Sequence, residues 1–168
     1  MKKFLKYFVI GVIVALVLFQ LVPKPAKNTS TQLSANDISQ KYPVPADVAA
    51  VLKSSCYDCH SNNTVYPWYS HVQPVAMWLG NHINDGKREI NFSEFLNTPA
   101  ARQYKKMAEV KEQVEKNEMP LASYTLIHTY AKLSPDQKTL LSHWTDQVRD
   151  SIKANYPADS LVMKKRKA

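Results

Sequence analysis

The chain of 168 residues contains only two cysteines, Cys56 and Cys59, which are separated by two residues. Two cysteines this close cannot build a disulfide framework, so the fold must be held by a hydrophobic core or by a bound group. No alternation of apolar and polar residues is long enough to predict a strand, and no internal repeat is present. What remains is one modest helical domain with appendages.

Acidic residues are missing from both ends of the chain. Residues 1–27 carry five lysines and no acid, and residues 164–167 read Lys-Lys-Arg-Lys. Residues 28–163 hold 13 basic and all 14 acidic side chains, so the net charge of +8 belongs to the ends. A nucleic-acid-binding protein concentrates basic side chains on its folded domain. No nucleic-acid partner is therefore predicted.

The run from Phe4 to Val22 is apolar apart from Lys6 and Gln20. As a helix it would be about 28 Å long, close to the roughly 30 Å hydrocarbon core of a bilayer. Lysines flank its N-terminal end, which is predicted to stay in the cytoplasm. Residues 1–22 are therefore predicted to be a single-pass, uncleaved signal anchor in the cytoplasmic membrane, with the domain on the periplasmic side. A cleaved secretory signal is the alternative, although no Ala-x-Ala-like step follows the run.

The rest of the chain divides into three parts. Residues 23–40 are polar and are predicted to be a flexible linker, residues 41–157 the folded domain, and residues 158–168 a basic, solvated tail. The fold class predicted for the domain is all-α, with about four helices. The four helical segments are Ala46 to Ser55, Val72 to Asp85 with a stop at Gly86, a segment opened by Thr98-Pro99, and one capped by Ser134-Pro135-Asp136-Gln137 that ends near Tyr156.

Both cysteines belong to the pentapeptide Cys56-Tyr-Asp-Cys-His60, which is the C-x-x-C-H attachment motif of haem c. Two thiols on one turn can reach two vinyl groups of the porphyrin, and the next residue presents an imidazole to the iron. One covalently attached haem is predicted, with His60 as the proximal iron ligand. A redox dithiol is an alternative, but it usually occurs in a βαβ context. A zinc site is another, and would need a fourth ligand from a partner motif that is missing.

The sixth iron ligand has two candidates. Met119 precedes Pro120 just beyond a predicted helix, and thioether ligation there would raise the reduction potential. A flexible core filler is the alternative role for this methionine. His82 lies on the apolar face of a predicted helix and is the alternative distal ligand, although a lone histidine there is more often a core residue. His128 could hydrogen-bond a haem propionate or hold the Met119 loop.

The stretch from Cys56 to Tyr69, CYDCHSNNTVYPWY, resembles the opening of the small bacterial haem-binding domain family related to cytochromes c. The resemblance continues through His82 and Gly86, resumes at Glu118-Met119-Pro120-Leu121, and covers roughly residues 41–156. It implies an exported c-type haem domain, often behind one membrane segment. Cys56, Cys59 and His60 would take the attachment and proximal roles, and Met119 the distal role. The chain has only three glycines, so its loops are expected to differ from those of ordinary soluble cytochromes c.

The predicted function is electron transfer by a one-haem carrier tethered to the outer face of the membrane, with a redox partner that the sequence does not identify. A haem-based sensor or small-ligand-binding domain with a displaceable distal ligand is the alternative. A peroxidase ranks third, because it would need an acid–base residue over the iron. No catalytic residue is predicted, and an enzyme is not expected.

Overall fold

A computed structural model describes residues 1–163, and these are helical, with no strand beyond one isolated bridge between Thr29 and Asn63. The all-α prediction is confirmed. The α-helices are α1 Lys2–Phe19, α2 Ala46–Ser55, α3 Tyr57–His60, α4 Val75–Glu89, α5 Ala100–Glu115, α6 Ala122–Ile127 and α7 Pro135–Asn155. Short 3-10 helices lie at Ile38–Gln40, Trp68–His71, Phe92–Asn97, Thr129–Ala131 and Ala158–Leu161.

The four predicted helices correspond to α2, α4, α5 and α7. Helix α2 has the predicted bounds, and α7 begins with the predicted capping box. In that box the Ser134 hydroxyl accepts from the Gln137 backbone N–H, and the Gln137 side chain accepts from the Ser134 backbone N–H. Both contacts satisfy donors that a helix N-terminus leaves without partners. Helix α4 was predicted to stop at Gly86, but it continues to Glu89.

The core lies between α5 and α7, and α2 packs against α7. Trp144 is almost fully buried, and its indole N–H donates to the carbonyl of Pro43 at 3.0 Å. Tyr42 is also buried and donates to Gln103 Oε1 at 3.0 Å. Burying each large apolar side chain contributes about 1.5–3 kcal/mol. The core also includes Ile38, Val48, Val51, Leu52, Ile90, Phe92, Phe95, Met107, Val114, Leu141, Val148 and Ile152.

The segment 23–40 differs from the flexible linker predicted for it. Ile38 is fully buried in the core, and the Asn28 amide donates to the Ser61 carbonyl at 2.8 Å and to Thr64 Oγ1 at 3.0 Å. The Asn36 carbonyl accepts from the Leu96 backbone N–H at 2.9 Å. Polar composition predicted a tether, but these side chains instead form specific hydrogen bonds with the domain, and one apolar residue enters its core.

Helix α1 has no buried residue. Just beyond its end the Gln20 side chain exchanges two hydrogen bonds of 3.0 Å with the backbone of Gln73, whose side chain is itself buried. Within residues 1–163, no helix combines the length and the apolar character needed to cross a membrane. The segment predicted to span the membrane, within residues 1–22, does form a helix. Its role as a membrane span receives no support from the structure.

The end of the domain runs past the predicted boundary at residue 157. Leu161, in the last 3-10 helix, is partly buried against the core. The basic residues 164–167 of the predicted tail lie outside the described residues.

Candidate haem site

The C-x-x-C-H motif folds as a single helical turn. Helix α3 follows α2 with only Cys56 between them. The backbone N–H groups of Cys59 and His60 both donate to the Cys56 carbonyl, at 3.2 and 3.0 Å. Both thiols and the imidazole therefore leave the chain from one turn of backbone, which is what attachment to neighbouring edges of one porphyrin requires.

Gly86 allows this turn to pack directly on helix α4. A Cβ atom at position 86 would lie 2.7 Å from the carbonyl oxygen of Cys59 and 3.1 Å from the Cβ of Cys59, so any larger residue would push the motif away. The sequence prediction took Gly86 for a helix stop. Its role in the structure is close approach of two backbones, since α4 continues through it and the Ile90 N–H donates to the Gly86 carbonyl at 2.9 Å.

The imidazole of His60 is oriented by two backbone carbonyls of α4. Its Nδ1 lies 2.9 Å from the Gly86 oxygen and 3.0 Å from the Ile90 oxygen. A carbonyl oxygen can only accept, so Nδ1 carries the proton and Nε2 keeps a free lone pair. Burial lowers the pKa of His60, against the opposing effect of these two carbonyls and of Glu89. The ring is therefore neutral and ready to ligate a metal, in the orientation that second-shell carbonyls give metal-binding histidines.

A cavity of about 420 Å³ opens beside the motif. The five residues that the sequence nominated for haem attachment or iron ligation all line it: Cys56, Cys59, His60, His82 and Met119. His128, the candidate propionate partner, does not line it. Most of the remaining wall is apolar, with Ile90, Phe92, Val110, Val114, Leu121 and Leu133 among its residues. An apolar cavity with a few convergent soft and nitrogen ligands suits a haem, whose faces are apolar and whose iron takes imidazole and thioether donors.

Both thiols are protonated at neutral pH. Burial raises the pKa of Cys56 to about 12 and that of Cys59 to about 11. The nearby Cys59 adds to the rise at Cys56, and the Asp58 carboxylate adds to the rise at Cys59. Dithiol redox catalysis and zinc binding both use the thiolate and are favoured where the pKa is lowered. Among residues 1–163, no group of three or more histidine, cysteine or acidic side chains is arranged to hold a metal ion. The two alternatives to haem gain no support from these surroundings.

His82 lines the cavity from one helical turn before Gly86. Its Nδ1 lies 2.9 Å from the Trp78 carbonyl and its ring centroid lies 4.2 Å from that of Trp78. By the reasoning used for His60, Nδ1 donates and Nε2 is left free. His82 is therefore a chemically competent ligand, although it is partly exposed and only one carbonyl holds it.

Met119 reaches the cavity from the connection between α5 and α6. Asn117, with φ of 60°, turns the chain at the end of α5, a left-handed conformation that asparagine tolerates. The backbone N–H groups of Glu118 and Met119 then donate to the Gln113 carbonyl at 2.9 and 3.2 Å. The side chain of Met119 is partly buried and lines the same cavity as His60.

Three further features of the site were not predicted from the sequence. Asp58, inside the motif, accepts from the Tyr124 hydroxyl at 2.7 Å, and burial and this hydrogen bond raise the pKa of Tyr124, so the phenol keeps its proton. His128, which the sequence linked to a propionate or to the Met119 loop, bonds Tyr69 Oη through Nε2 at 2.5 Å. Lys106 lines the cavity while paired with Glu89 and Glu109. Except for Lys106 and Glu109, which are three residues apart, these partners are far apart in sequence, so no local signal indicates them.

The single helical turn with two thiols, the oriented histidine and the apolar cavity together define a small, all-helical haem-binding protein. A family model described as a haem-binding domain matches residues 14–147, and the chain belongs to this haem-binding domain family. The matched residues include the whole motif, His82 and Met119, which confirms the resemblance found in the sequence. No curated protein and no solved structure matches the chain.

Proposed function

We propose that this protein carries one haem c, attached through Cys56 and Cys59 and ligated by His60 and Met119, and that it transfers single electrons. The observation that carries the proposal is the meeting of both thiols and the free Nε2 of His60 at one apolar cavity. Family membership supports haem binding, and the spacing of the motif supports covalent attachment.

When bound, the haem supplies reversible one-electron chemistry at its iron. The residues of the chain orient and shield it. The Gly86 and Ile90 carbonyls fix His60 and make its Nε2 a stronger donor. Phe92, Val110 and other apolar wall residues exclude water. Met119 would hold the haem iron through its sulfur, and thioether ligation would give a higher reduction potential than a second imidazole would.

The attachment is tested by expressing the full chain with a cytochrome c maturation system and recording its pyridine haemochrome spectrum after acid–acetone extraction. Haem that stays with the protein and gives the α band of saturated, thioether-linked side chains supports the proposal. Replacing both cysteines with serine should release all haem on extraction. Absence of haem, in cells that mature a control cytochrome normally, would overturn the proposal and return attention to the thiols as a redox pair.

A second candidate function is sensing or binding of a small ligand at the iron. The observation that favours it is that both possible distal ligands, Met119 and His82, are partly exposed and belong to the same cavity. Carbon monoxide distinguishes the two functions. A sealed electron carrier should bind it slowly and incompletely in the reduced native state, whereas rapid and complete binding supports the sensor.

We also propose that α1 anchors the protein in the cytoplasmic membrane with the haem domain outside, since covalent haem attachment of this kind takes place there. The support is that no residue of α1 is buried, its apolar side chains from Val9 to Phe19 are exposed, and its lysines are confined to positions 2, 3 and 6. An apolar surface of this extent calls for a covering partner.

The anchor is tested by sodium carbonate extraction of membranes containing the full chain. The protein should stay in the pellet. Val14→Lys, which places a charge mid-helix at a penalty of about 2.5–3.5 kcal/mol, should move part of it to the supernatant. Val65→Lys changes an exposed valine outside α1 and should have no effect. Release of the unmodified protein by carbonate would overturn the anchor without affecting the haem proposal.

A further inference from the structure

Asp58, the third residue of the C-x-x-C-H motif, uses both oxygens of its side chain. Oδ1 accepts from the backbone N–H of Val65 at 3.0 Å, and Oδ2 accepts from the Tyr124 hydroxyl at 2.7 Å. The first contact is local and fixes the chain just after the motif. The second joins residues 66 positions apart. A hydrogen bond to a charged acceptor is stronger than one between neutral groups.

Tyr124 belongs to the structural unit that presents Met119. Helix α6 begins at Ala122, three residues after Met119, and the Tyr124 N–H donates to the Leu121 carbonyl at 3.0 Å. Tyr124 itself lines the cavity. Among residues 1–163, the Asp58–Tyr124 contact is the only side-chain hydrogen bond between the motif and residues 117–128.

The rest of α6 is held by a different part of the molecule. The Tyr124 ring stacks on His128 with centroids 4.4 Å apart and an angle of 19°, and His128 Nε2 lies 2.5 Å from the Tyr69 hydroxyl. The His128–Tyr69 contact fastens the end of α6 to the 3-10 helix Trp68–His71, which follows the motif. Neither contact reaches the turn that carries Cys56, Cys59 and His60.

We propose that the Asp58 carboxylate is a positioning residue, which through Tyr124 holds the Met119 stretch at a fixed place relative to the attachment turn. Asp58 would not ligate the iron, and it would act through Tyr124 on how readily Met119 is displaced. The inference rests on the proposed function, in which Met119 is the distal ligand. Asp58 occupies one of the two positions at which the C-x-x-C-H motif accepts any residue, and there it would influence the distal ligand, Met119.

The test measures how readily exogenous imidazole displaces Met119 from the ferric, full-length holoprotein. Tyr124→Phe removes the hydroxyl and keeps the ring that stacks on His128. A loosened Met119 competes less well, so the apparent Kd for imidazole should fall by about tenfold. Asp58→Asn keeps an oxygen for the Val65 N–H and an amide group facing Tyr124, so its effect should be smaller. The matched control is Tyr156→Phe, which also loses a hydrogen bond to a charged side chain, Lys41, away from the cavity.

The outcomes separate a positioning role from a structural one. A lower melting temperature with unchanged imidazole affinity in Tyr124→Phe means that the contact only stabilises the fold, and overturns the inference. So does an equal change in Tyr156→Phe. If the unmodified protein lacks the weak near-infrared charge-transfer band of a methionine sulfur on ferric iron, the ligand assignment in the proposed function falls first, and the inference falls with it. The band together with a selective change in Tyr124→Phe supports both.

Discussion

Different kinds of contact hold the two parts of the cavity that carry the proposed ligands His60 and Met119. The attachment wall, residues 56–60 packed on Gly86 to Ile90, is fixed by backbone: an intrahelical turn, two carbonyls on His60 and a glycine that permits close approach. The distal stretch, residues 117–121, is a connection whose backbone is tied mainly to the Gln113 carbonyl. One proposed ligand, His60, therefore lies in the packed framework, whereas the other, Met119, lies on a connection held by few backbone contacts.

This difference has a functional consequence for the proposed haem. Electron transfer is fast when neither iron ligand rearranges. His60 would meet that condition, because two backbone carbonyls of α4 hold its ring. The distal stretch meets it only as long as its few anchoring contacts hold. The choice between an electron carrier and a sensor thus depends on residues 117–121 and on what restrains them.

The largest effect is expected where the distal stretch loses its ligand. Met119→Ala should abolish the near-infrared methionine band and convert slow, partial carbon monoxide binding to complete binding, with the haem still covalently attached. His82→Ala should keep the band and bind carbon monoxide like the unmodified protein. Visible and near-infrared absorption spectra of the two holoproteins, recorded with and without carbon monoxide, identify the distal ligand. The reverse pattern would make His82 the distal ligand and Met119 a core filler.

The next largest effect is expected from a substitution that disturbs the packing of the attachment wall. Gly86→Ala places a methyl group 2.7 Å from the Cys59 carbonyl and should lower the free energy of unfolding by about 1–3 kcal/mol, with a lower yield of holoprotein. Gly80→Ala is the matched control on the same helix. Its new methyl group would lie 2.7 Å from the Pro25 ring of the N-terminal segment, so the clash is as close but lies away from the motif, and the haem spectrum should not change. Urea unfolding and holoprotein yield measure both, and equal yields would show that close backbone packing at position 86 is dispensable.

The comparison also shows what a sequence can reveal. The turn at Cys56–His60, the bounds of α2 and the capping box at Ser134 are encoded by neighbours a few residues apart, and all were predictable. Met119 and His82 were chosen as candidates because their side chains can ligate iron, and their distance from the motif could not be read from their positions in the sequence. Both candidates line the cavity beside the motif.

Long-range contacts were the part that sequence reasoning could not supply. Gly86 looked like a helix stop because glycine commonly ends helices, and only the packed turn of Cys59 shows why the position must lack a side chain. Residues 23–40 looked like a tether because polar composition gives no sign of a partner. The hydrogen bonds of Asn28 with Ser61 and Thr64 join positions more than 30 residues apart.

A moderate effect is expected when that N-terminal support of the attachment wall is removed. The Asn28 side chain donates to the Ser61 carbonyl and to Thr64, and accepts from Lys87 at 2.6 Å. Asn28→Ala leaves these groups without a partner and should lower stability by about 1–2 kcal/mol, with faster proteolysis within residues 23–40. Asn155→Ala, whose amide donates only to the Ser151 carbonyl on an exposed helix end, should change stability by less than about 0.5 kcal/mol. Equal rates of proteolysis in the two variants would mean that residues 23–40 behave as the flexible linker that the sequence predicted.

The smallest effect concerns the ion cluster on the rim between the two regions. Lys106, only 12% exposed, lies 2.6 Å from a carboxylate oxygen of each of Glu89 and Glu109. Burial lowers the pKa of Lys106, but its two carboxylate partners outweigh burial and raise it. The hydrogen bond from Lys106 lowers the pKa of Glu89, and in Glu109 the hydrogen bonds from Lys106 and Lys105 outweigh burial and lower the pKa as well.

The sign of each pKa shift gives the pH window for Lys106→Met. Carboxyl groups with lowered pKa stabilise the fold above about pH 4.3, their unfolded value, and lose that contribution as the pH falls through their folded values. The raised pKa of Lys106 extends its contribution up to at least about pH 10.4. The variant should therefore be less stable by about 1 kcal/mol at pH 7, and the difference should shrink toward pH 3. Lys105→Met, which removes a more exposed partner 3.2 Å from Glu109, should have little effect at either pH. A loss in Lys106→Met that is as large at pH 3 as at pH 7 would mean that the lysine acts through the packing of its stem and not through its charge.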